Sequence, residues 1–535
     1  MHANDTSCAE AQTISVLVAG AGPAGLVTAI GLARLGVPVM LVERHRATST
    51  FPRATAVSPR SMEIMRDWGL EERVRAREFD ALPTGRVAPT LVAAEGMVVP
   101  LGFPTDDEVR RVSPTSYAVV AQDELEPILL EHLESLGAEV RFGTEIIAFH
   151  QDATTVTSVL RDSSGRETTV RSRFLVGADG SRSFVRSALD IPMRGPDHLE
   201  EFVSTLFRAP LREQVAAVHG LNMMPGPEGL SVMLPTSNDD RWVFAQPWNP
   251  QSQRVEDFTD ERVTASIRAT SGVPDLPVEV LSVGAFSFAA QVADRYRVGH
   301  AFLVGDAAHR ITPRGGTGMN TAIQDAHNLA WKLAFVLRGW ADDGLLDTYQ
   351  EERRPVGARN AARSEAPTRP DLDALAIDIG ITYESGALVG DSMPTASVDD
   401  SWRPTGCPGA RLPHLWLERD GERVSTLDLL GPGMTVFTGS EGGRWRRAAQ
   451  EVAADLGVTV AVRVVGGERL GDPSGAFSTL YGLEADGAVV VRPDGHIAWR
   501  ATSAAGLDLY CELELGIRAS MGERLAAADD EREVA

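Results

Sequence analysis

The sequence predicts an α/β protein in which a parallel-sheet domain is interrupted by an antiparallel sheet and followed by a smaller α/β domain. Residues 14–19 form an apolar run that leads into a glycine-rich turn and a helical pattern, and residues 39–43 form a second such run. This strand–helix–strand order is typical of a parallel sheet. Longer alternating runs between residues 194 and 283 predict antiparallel strands with one solvated face. Another strand–helix–strand series begins near residue 410, after a proline-rich linker.

The glycine-rich turn has the spacing of a dinucleotide-binding unit, Gly-x-Gly-x-x-Gly. Gly20 permits the tight turn, Gly22 lets the backbone approach a pyrophosphate, and Gly25 lets the helix pack closely on the strand. Unpaired N–H groups at the helix N-terminus favour an anion there. Glu43, which ends the second strand, is placed to accept hydrogen bonds from a ribose. The turn is therefore predicted to hold a dinucleotide through Gly20, Gly22, Pro23, Ala24 and Gly25.

Two further motifs follow apolar strands later in the chain. Asp179-Gly180 is explained either by an ordinary turn or by a nucleotide contact, because Asp-Gly is common in turns. Gly305-Asp306 is more specific, because a glycine loop at residues 313–318 follows it and leads into a predicted helix. The N-terminus of that helix suits an isoalloxazine ring, whose reduced form carries negative charge that N–H donors stabilise.

Composition excludes several classes of partner. The net charge of −23 over 535 residues argues against binding to nucleic acid. The three cysteines lie far apart, without metal-binding or Cys-x-x-Cys spacing, which predicts a reduced cytoplasmic protein with no metal site. No signal peptide is expected, and no apolar run approaches the ~20 residues needed to cross a membrane. Basic residues are almost all arginine, and Lys332 is the only lysine.

Taken together, the three motifs resemble those of the class A FAD-dependent aromatic monooxygenases, the family related to para-hydroxybenzoate hydroxylase, over residues 14 to about 385. Within that family the chain is most similar to bacterial aromatic polyketide hydroxylases with a thioredoxin-like C-terminal domain. The segment at residues 491–500 is typical of that domain. The absence of Cys-x-x-Cys from the tail indicates packing or a dimer surface there, without dithiol chemistry.

This resemblance implies the following domain boundaries. A discontinuous Rossmann-type FAD-binding domain spans residues 13–193 and 284–390. An inserted antiparallel-sheet domain that binds substrate spans residues 194–283. The thioredoxin-like C-terminal domain spans residues 405–525.

The resemblance also implies the roles of individual residues at the FAD site. Glu43 and Arg44 would hold the adenosine of FAD. Asp306 would bind the ribityl chain, and Asp179 would contact both FAD and NAD(P)H. Arg53 would lie near the pyrophosphate and the moving flavin, and Gln122 near the ribityl or phosphate region. The flavin ring would be lined by the Pro313 carbonyl, the only catalytic group predicted, and by the backbone of Gly318, Met319 and Asn320.

The function implied is an FAD-dependent monooxygenase that consumes NADPH or NADH and O2. It would hydroxylate a polycyclic aromatic substrate through a flavin C4a-hydroperoxide, as a monomer or homodimer. The same cofactors also allow a Baeyer–Villiger insertion or an oxidative rearrangement. A non-catalytic flavin-binding module is disfavoured by the intact glycines of the motifs. Met233, Trp242 and Phe244 are predicted either to line the substrate site or to pack in an ordinary core, and His309 is predicted to be structural.

Overall fold

Three sheets organise the chain, and the predicted nucleotide motifs come together at the carboxyl edge of the first. The computed structural model describes residues 12–227, 229–365, 374–389 and 402–523. Parts of the three predicted domains lie outside these ranges: residues 366–373 and 390 in the first, residue 228 in the second and residues 524–525 in the last. None of the helices within these ranges combines the length and apolar character that a membrane crossing requires.

The N-terminal part of the chain alternates strands with helices. Its strands are β1 (Gln12–Ala19), β2 (Val39–Glu43), β3 (Leu82–Val87), β4 (Met97–Pro100), β5 (Glu139–Phe142), β6 (Thr144–Gln151), β7 (Val156–Asp162), β8 (Glu167–Gly177) and β9 (Met193–Arg194). Its helices are α1 (Pro23–Arg34), α2 (Pro59–Asp67), α3 (Glu71–Arg75), α4 (Asp106–Arg110), α5 (Gln122–Ser135) and α6 (Phe184–Ala188).

The middle of the chain forms β10 (Glu200–Arg208), β11 (His219–Gly226), β12 (Gly229–Pro235), β13 (Arg241–Pro247), α7 (Asp260–Ser271) and β14 (Glu279–Phe288). The chain then returns to the first domain through β15 (Gln291–Ala293), β16 (Arg297–Val298), β17 (Ala301–Leu303), β18 (His309–Arg310), α8 (Gly318–Leu337), α9 (Asp347–Glu365) and α10 (Ala374–Asp378). The C-terminal part contains β19 (Trp416–Arg419), β20 (Glu422–Ser425), β21 (Met434–Thr438), α11 (Gly443–Leu456), β22 (Val460–Val464), α12 (Phe477–Tyr481), β23 (Ala488–Val491), β24 (Ile497–Ala501) and α13 (Leu509–Ser520).

The first sheet has the strand order β16-β17-β8-β1-β2-β5. Strand β7 pairs antiparallel with β8, and β6 pairs antiparallel with β7. Strand β1 pairs in parallel with β2 and β8, and β8 pairs in parallel with β17. Helix α1 packs against α5 and α8 on this sheet. The predicted Rossmann-type α/β domain is confirmed, because parallel strands form the centre of this sheet and helices pack on it. The parallel strands come from two separated parts of the sequence.

The second sheet is wider than the inserted segment predicted at residues 194–283. Its order is β14-β10-β13-β12-β11-β3-β4, so two strands from residues 82–100 join it, and β14 extends to Phe288. Strand β3 pairs in parallel with β11, so the sheet is not purely antiparallel. The glycine- and proline-rich sequence before residue 114 obscured these strands, since they form by pairing with distant residues.

The C-terminal domain contains the four-stranded mixed sheet β22-β21-β23-β24, as a thioredoxin-like domain requires, with α11 and α13 packed together. One hydrophobic core extends from the first sheet into this domain. It includes the fully buried Val16 of β1, Leu329 of α8 and Leu513 of α13. The C-terminal domain is therefore docked on the Rossmann-type domain through a continuous apolar contact.

Candidate functional site

The three sequence motifs follow three neighbouring parallel strands. Ala19 at the end of β1 lies beside Gly177 at the end of β8, and Leu303 of β17 lies on the other side of Gly177. The carboxyl ends of parallel strands face the crevice in which α/β proteins bind ligands. The fold therefore brings the glycine-rich turn, Asp179 and Asp306 to one edge.

The turn between β1 and α1 forms a cradle that only glycine permits. Gly20 has φ +107°, and a Cβ there would overlap the carbonyl oxygen of Ala178. A Cβ on Gly25 would overlap the carbonyl oxygen of Gly20. A Cβ on Gly22 would meet no protein atom within 4 Å, although Gly22 is the N-cap of α1. Free space in front of uncapped N–H groups fits a pyrophosphate.

The predicted adenosine end lies beside this cradle. One Glu43 carboxylate oxygen accepts the N–H of Ala21 at 2.9 Å, and the other accepts the N–H of His45 at 2.8 Å. These bonds fix the carboxylate against the glycine turn. Arg44 and Arg53 are exposed. Gln122 is buried, donates to Glu126 at 2.7 Å, and its N–H donates to the Ala54 carbonyl, which connects α5 to the loop that carries Arg53.

Asp179 has a structural role in its own loop. Its carboxylate accepts the Ser183 hydroxyl at 2.5 Å and the N–H of Val185 at 3.0 Å, at the start of α6. Arg186 of the same helix donates to the carbonyl of Ala307 at 3.0 Å. Asp179 therefore holds α6 against the Gly305 loop.

The third motif presents one exposed carboxylate above a buried support. Asp306 is exposed, and within the described chain its side chain has no hydrogen bond. Beneath it, Asp325 of α8 accepts the N–H of Gly305 at 3.3 Å, His309 Nε2 at 2.6 Å and Arg353 Nε at 2.7 Å. Burial alone would raise the pKa of Asp325, but the charges of His309 and Arg353 hold that pKa below its ordinary value. His309 is fully buried in this support.

A cavity opens at the N-terminus of α8. Asn320 lines it and fixes its walls, since its amide accepts the N–H of Ser58 at 2.8 Å and donates to the carbonyls of Ala56 and Gly316 at 3.1 Å. Gly318 begins α8, and a Cβ there would touch only Ile311, at 3.8 Å. The Pro313 carbonyl accepts the N–H of Gly316 at 3.1 Å. The remaining walls include residues that no sequence motif marked, such as Phe103, Tyr117, Arg363 and Asp378.

The three predicted substrate-lining residues are placed elsewhere. Met233, Trp242 and Phe244 pack with Ile267 of α7 in a separate hydrophobic core, and each is at most 1% exposed. Helix α7 covers that face of the second sheet. The lining prediction is therefore wrong for these residues, and its alternative, ordinary core packing, is correct.

The opposite face of the second sheet is aromatic. Phe202 of β10 stacks on Phe286 of β14 at 5.6 Å and contacts Phe288 at 4.9 Å between ring centroids. Arg314, from the glycine loop beside the cavity, lies 5.6 Å over the ring of Phe288 and pairs with Glu200. This aromatic face, and not the face under α7, meets the loop at the cavity.

These features fit the parts of FAD in order. The cradle at Gly22 fits the pyrophosphate, and the Glu43 carboxylate fits the ribose. The exposed Asp306 carboxylate fits a polyol, and the cavity at the N-terminus of α8 fits a flat ring system. In the described residues, no group of three or more histidine, cysteine or acidic side chains forms a metal site.

Comparisons with known proteins agree with this geometry. Residues 13–364 match the family model of the FAD binding domain, and residues 405–519 match that of the C-terminal domain of aromatic-ring hydroxylases. The chain is 40% identical to tetracenomycin A2 monooxygenase-dioxygenase of Streptomyces glaucescens, covering 92% of this chain and 94% of the relative. It is 38% identical to 4-methyl-5-nitrocatechol 5-monooxygenase of a Burkholderia species, with coverage of 92% and 95%. The crystal structure of aklavinone-11 hydroxylase with FAD and aklavinone superposes with a TM-score of 0.86 at 36% identity, covering 95% of this chain and 99% of that one.

Proposed function

Since the chain belongs to the family of FAD-binding aromatic-ring hydroxylases, we propose that it hydroxylates a polycyclic aromatic substrate of the polyketide type. It is an FAD-dependent monooxygenase that uses NAD(P)H and O2. The observation that carries the proposal is that three nucleotide motifs follow neighbouring strands along one sheet edge, close to a cavity at the N-terminus of α8.

In this proposal each predicted residue acts on one part of the cofactor. Glu43 and Arg44 hold the adenosine, and the backbone of Gly22, Pro23 and Ala24 holds the pyrophosphate. Asp306 accepts from the ribityl hydroxyls. FAD, when bound, supplies the transfer of one oxygen atom from O2 to the substrate.

The chain's own residues would hold charge and exclude water around the ring. The N-terminus of α8, with the backbone of Gly318, Met319 and Asn320, places N–H groups where a reduced ring is negative. The aromatic face of Phe202, Phe286 and Phe288 would keep water from the reacting atoms. Its flat rings favour a planar, extended substrate.

The test is an NADH and NADPH oxidation screen with polycyclic phenols and quinones, with a single-ring catechol as comparison. We expect substrate-dependent oxidation and a product that has gained one oxygen atom on a ring carbon, located by NMR. A protein that stays colourless with added FAD would contradict the assignment as a flavoenzyme. Oxygen inserted beside a ketone would contradict ring hydroxylation, and a clear preference for the catechol would contradict a polycyclic substrate.

Asp306→Ala is expected to raise the Kd for FAD at least about tenfold, because hydrogen bonds to a charged group are worth ~1.5–3 kcal/mol. The melting temperature of the apoprotein should not change, since in the described structure the Asp306 side chain is exposed and bonds no protein atom. FAD titration by flavin fluorescence measures the effect. Glu134→Ala, which removes an exposed carboxylate from α5, is the control. Equal FAD affinity in both variants would refute the role of Asp306.

A further inference from the structure

Four charged side chains are buried where the C-terminal domain meets α8 and α9. Lys332 of α8 and Arg492 of the β23–β24 turn both pair with Glu352 of α9, at 2.8 Å and 2.6 Å. Arg492 also pairs with Asp494 of the same turn at 2.5 Å. The side chains of all four are at most 2% exposed. We call these residues the junction cluster.

The junction cluster contains two cations and two anions from three elements, and each of these side chains makes at least one ion pair within the cluster. Asn328 of α8 donates to both Glu352 and Asp494, at 2.7 Å and 3.1 Å. Burial would raise the pKa of Glu352, but Arg492 and Lys332 hold it below its ordinary value. Burial lowers the pKa of Lys332 to about 8, against the attraction of Glu352. An apolar set of the same volume would often be as stable as such a cluster, so its charges point to a specified geometry.

The residue next to Glu352 reaches the FAD site. Arg353 donates to Asp325 at 2.7 Å and to the Thr321 carbonyl at 3.2 Å. Asp325 in turn accepts the N–H of Gly305. Two adjacent residues of α9 thus connect the turn of the C-terminal domain with the Gly305 loop. Helix α8 runs from the cavity to Lys332, about 21 Å at 1.5 Å per residue.

We propose that the C-terminal domain is a brace for the FAD site, in which Arg492 and Asp494 set the position of α8 and α9 and so of the Gly305 loop and the α8 N-terminus. Arg492 is a positioning residue in this scheme. The inference rests on the placement of FAD proposed above. It gives the C-terminal domain, which lacks a Cys-x-x-Cys pair, a role in cofactor binding.

The test removes one cation and one anion together. Arg492→Leu combined with Asp494→Asn leaves Lys332 and Glu352 paired, so no buried charge is left alone. Arg463→Leu is the control, because Arg463 is a half-buried arginine of the same domain whose side chain, among the described residues, bonds only the Leu429 carbonyl, at 3.0 Å. We expect the Kd for FAD to rise about tenfold or more in the double variant, within the usual range of coupling between sites. The control should keep the wild-type affinity.

Arg492→Lys provides a second measurement if the double variant does not fold. Lysine keeps the charge and loses the two-point contact with Glu352, so an intermediate rise in the Kd is expected. The fraction of NAD(P)H oxidation in which O2 is reduced to H2O2 without hydroxylated product, and the flavin absorption spectrum, should change in the same order. Neither readout should change in the Arg463→Leu control.

Lys332 reports independently on the junction, since it is the only lysine of the chain. An amine-reactive reagent should leave it unlabelled in the wild type and label it in the double variant, as measured by peptide mass spectrometry. Labelling is expected because loss of the Arg492 and Asp494 charges loosens the packing around the remaining pair of Lys332 and Glu352. Wild-type FAD affinity in the junction variants overturns the brace, whether or not Lys332 becomes reactive. If the wild type itself bound no FAD, the placement of FAD would fail and the brace with it.

Discussion

Gly25→Ala should prevent the N-terminal domain from folding, whereas Gly22→Ala should leave the fold intact and remove most of the affinity for FAD. A Cβ on Gly25 would overlap the backbone carbonyl of Gly20, and the turn between β1 and α1 cannot yield without moving the strand. We expect a loss of at least about 3 kcal/mol in the free energy of unfolding. A Cβ on Gly22 meets no protein atom within 4 Å, so Gly22→Ala should weaken FAD binding without lowering the stability of the fold.

Two measurements separate these variants. Urea unfolding of the apoproteins should show wild-type stability for Gly22→Ala and little native protein for Gly25→Ala. FAD titration of Gly22→Ala should show a Kd raised about 10- to 100-fold, because N–H contacts to a charged group are worth ~1.5–3 kcal/mol. An unstable Gly22→Ala apoprotein, or one with full affinity, would contradict the assignment of the cradle to the pyrophosphate.

Asp325→Asn should lower the free energy of unfolding by about 3–5 kcal/mol, because it leaves the buried guanidinium of Arg353 without its anion. Glu451→Gln is the control, since Glu451 pairs with Arg447 on the surface and should cost less than about 1 kcal/mol. FAD affinity should fall in Asp325→Asn alone, through the Gly305 loop. Similar losses of stability in the two variants would refute the structural role of Asp325.

The same variant should change the response to acid. The pKa of Asp325 is lowered in the folded protein, so its contribution to stability is present above its ordinary value of 3.8. That contribution is lost as the pH falls through the lower, folded value. Acid unfolding of Asp325→Asn should therefore show a weaker dependence on pH below about 4 than wild-type unfolding. An unchanged acid branch would contradict this assignment.

The sequence correctly predicted that the three motifs follow strands of one sheet, because each motif is defined by residues close together in the chain. Each motif directly follows an apolar strand, and parallel pairing then brings the ends of β1, β8 and β17 together. The supports of the site were not predicted. Asp325 and the adjacent pair Glu352 and Arg353 belong to no motif. Their partners lie up to 140 positions away, and no periodicity relates the two.

The aromatic face of the second sheet could not be predicted from the alternation of apolar and polar residues alone. Alternation correctly places Trp242 and Phe244 on one face of β13, since both are buried in the same core. It does not indicate which face α7 covers, because that depends on how the chain after residue 247 returns to the sheet. Phe202, Phe286 and Phe288 were therefore not predicted to line the substrate site, although they lie in strands with the same pattern.

The two-part construction of the first sheet has a consequence for folding in the cell. Strand β8 is synthesised well before β17, its parallel partner, and five of the seven strands of the second sheet are made between them. Until β17 emerges from the ribosome, residues 175–177 at the end of β8 have an unpaired edge, because β7 pairs only with residues 167–172. An unpaired edge is a hazard for aggregation. Folding of this domain is thus expected to be slow, late in translation and sensitive to chaperones, because its decisive contact joins distant parts of the chain.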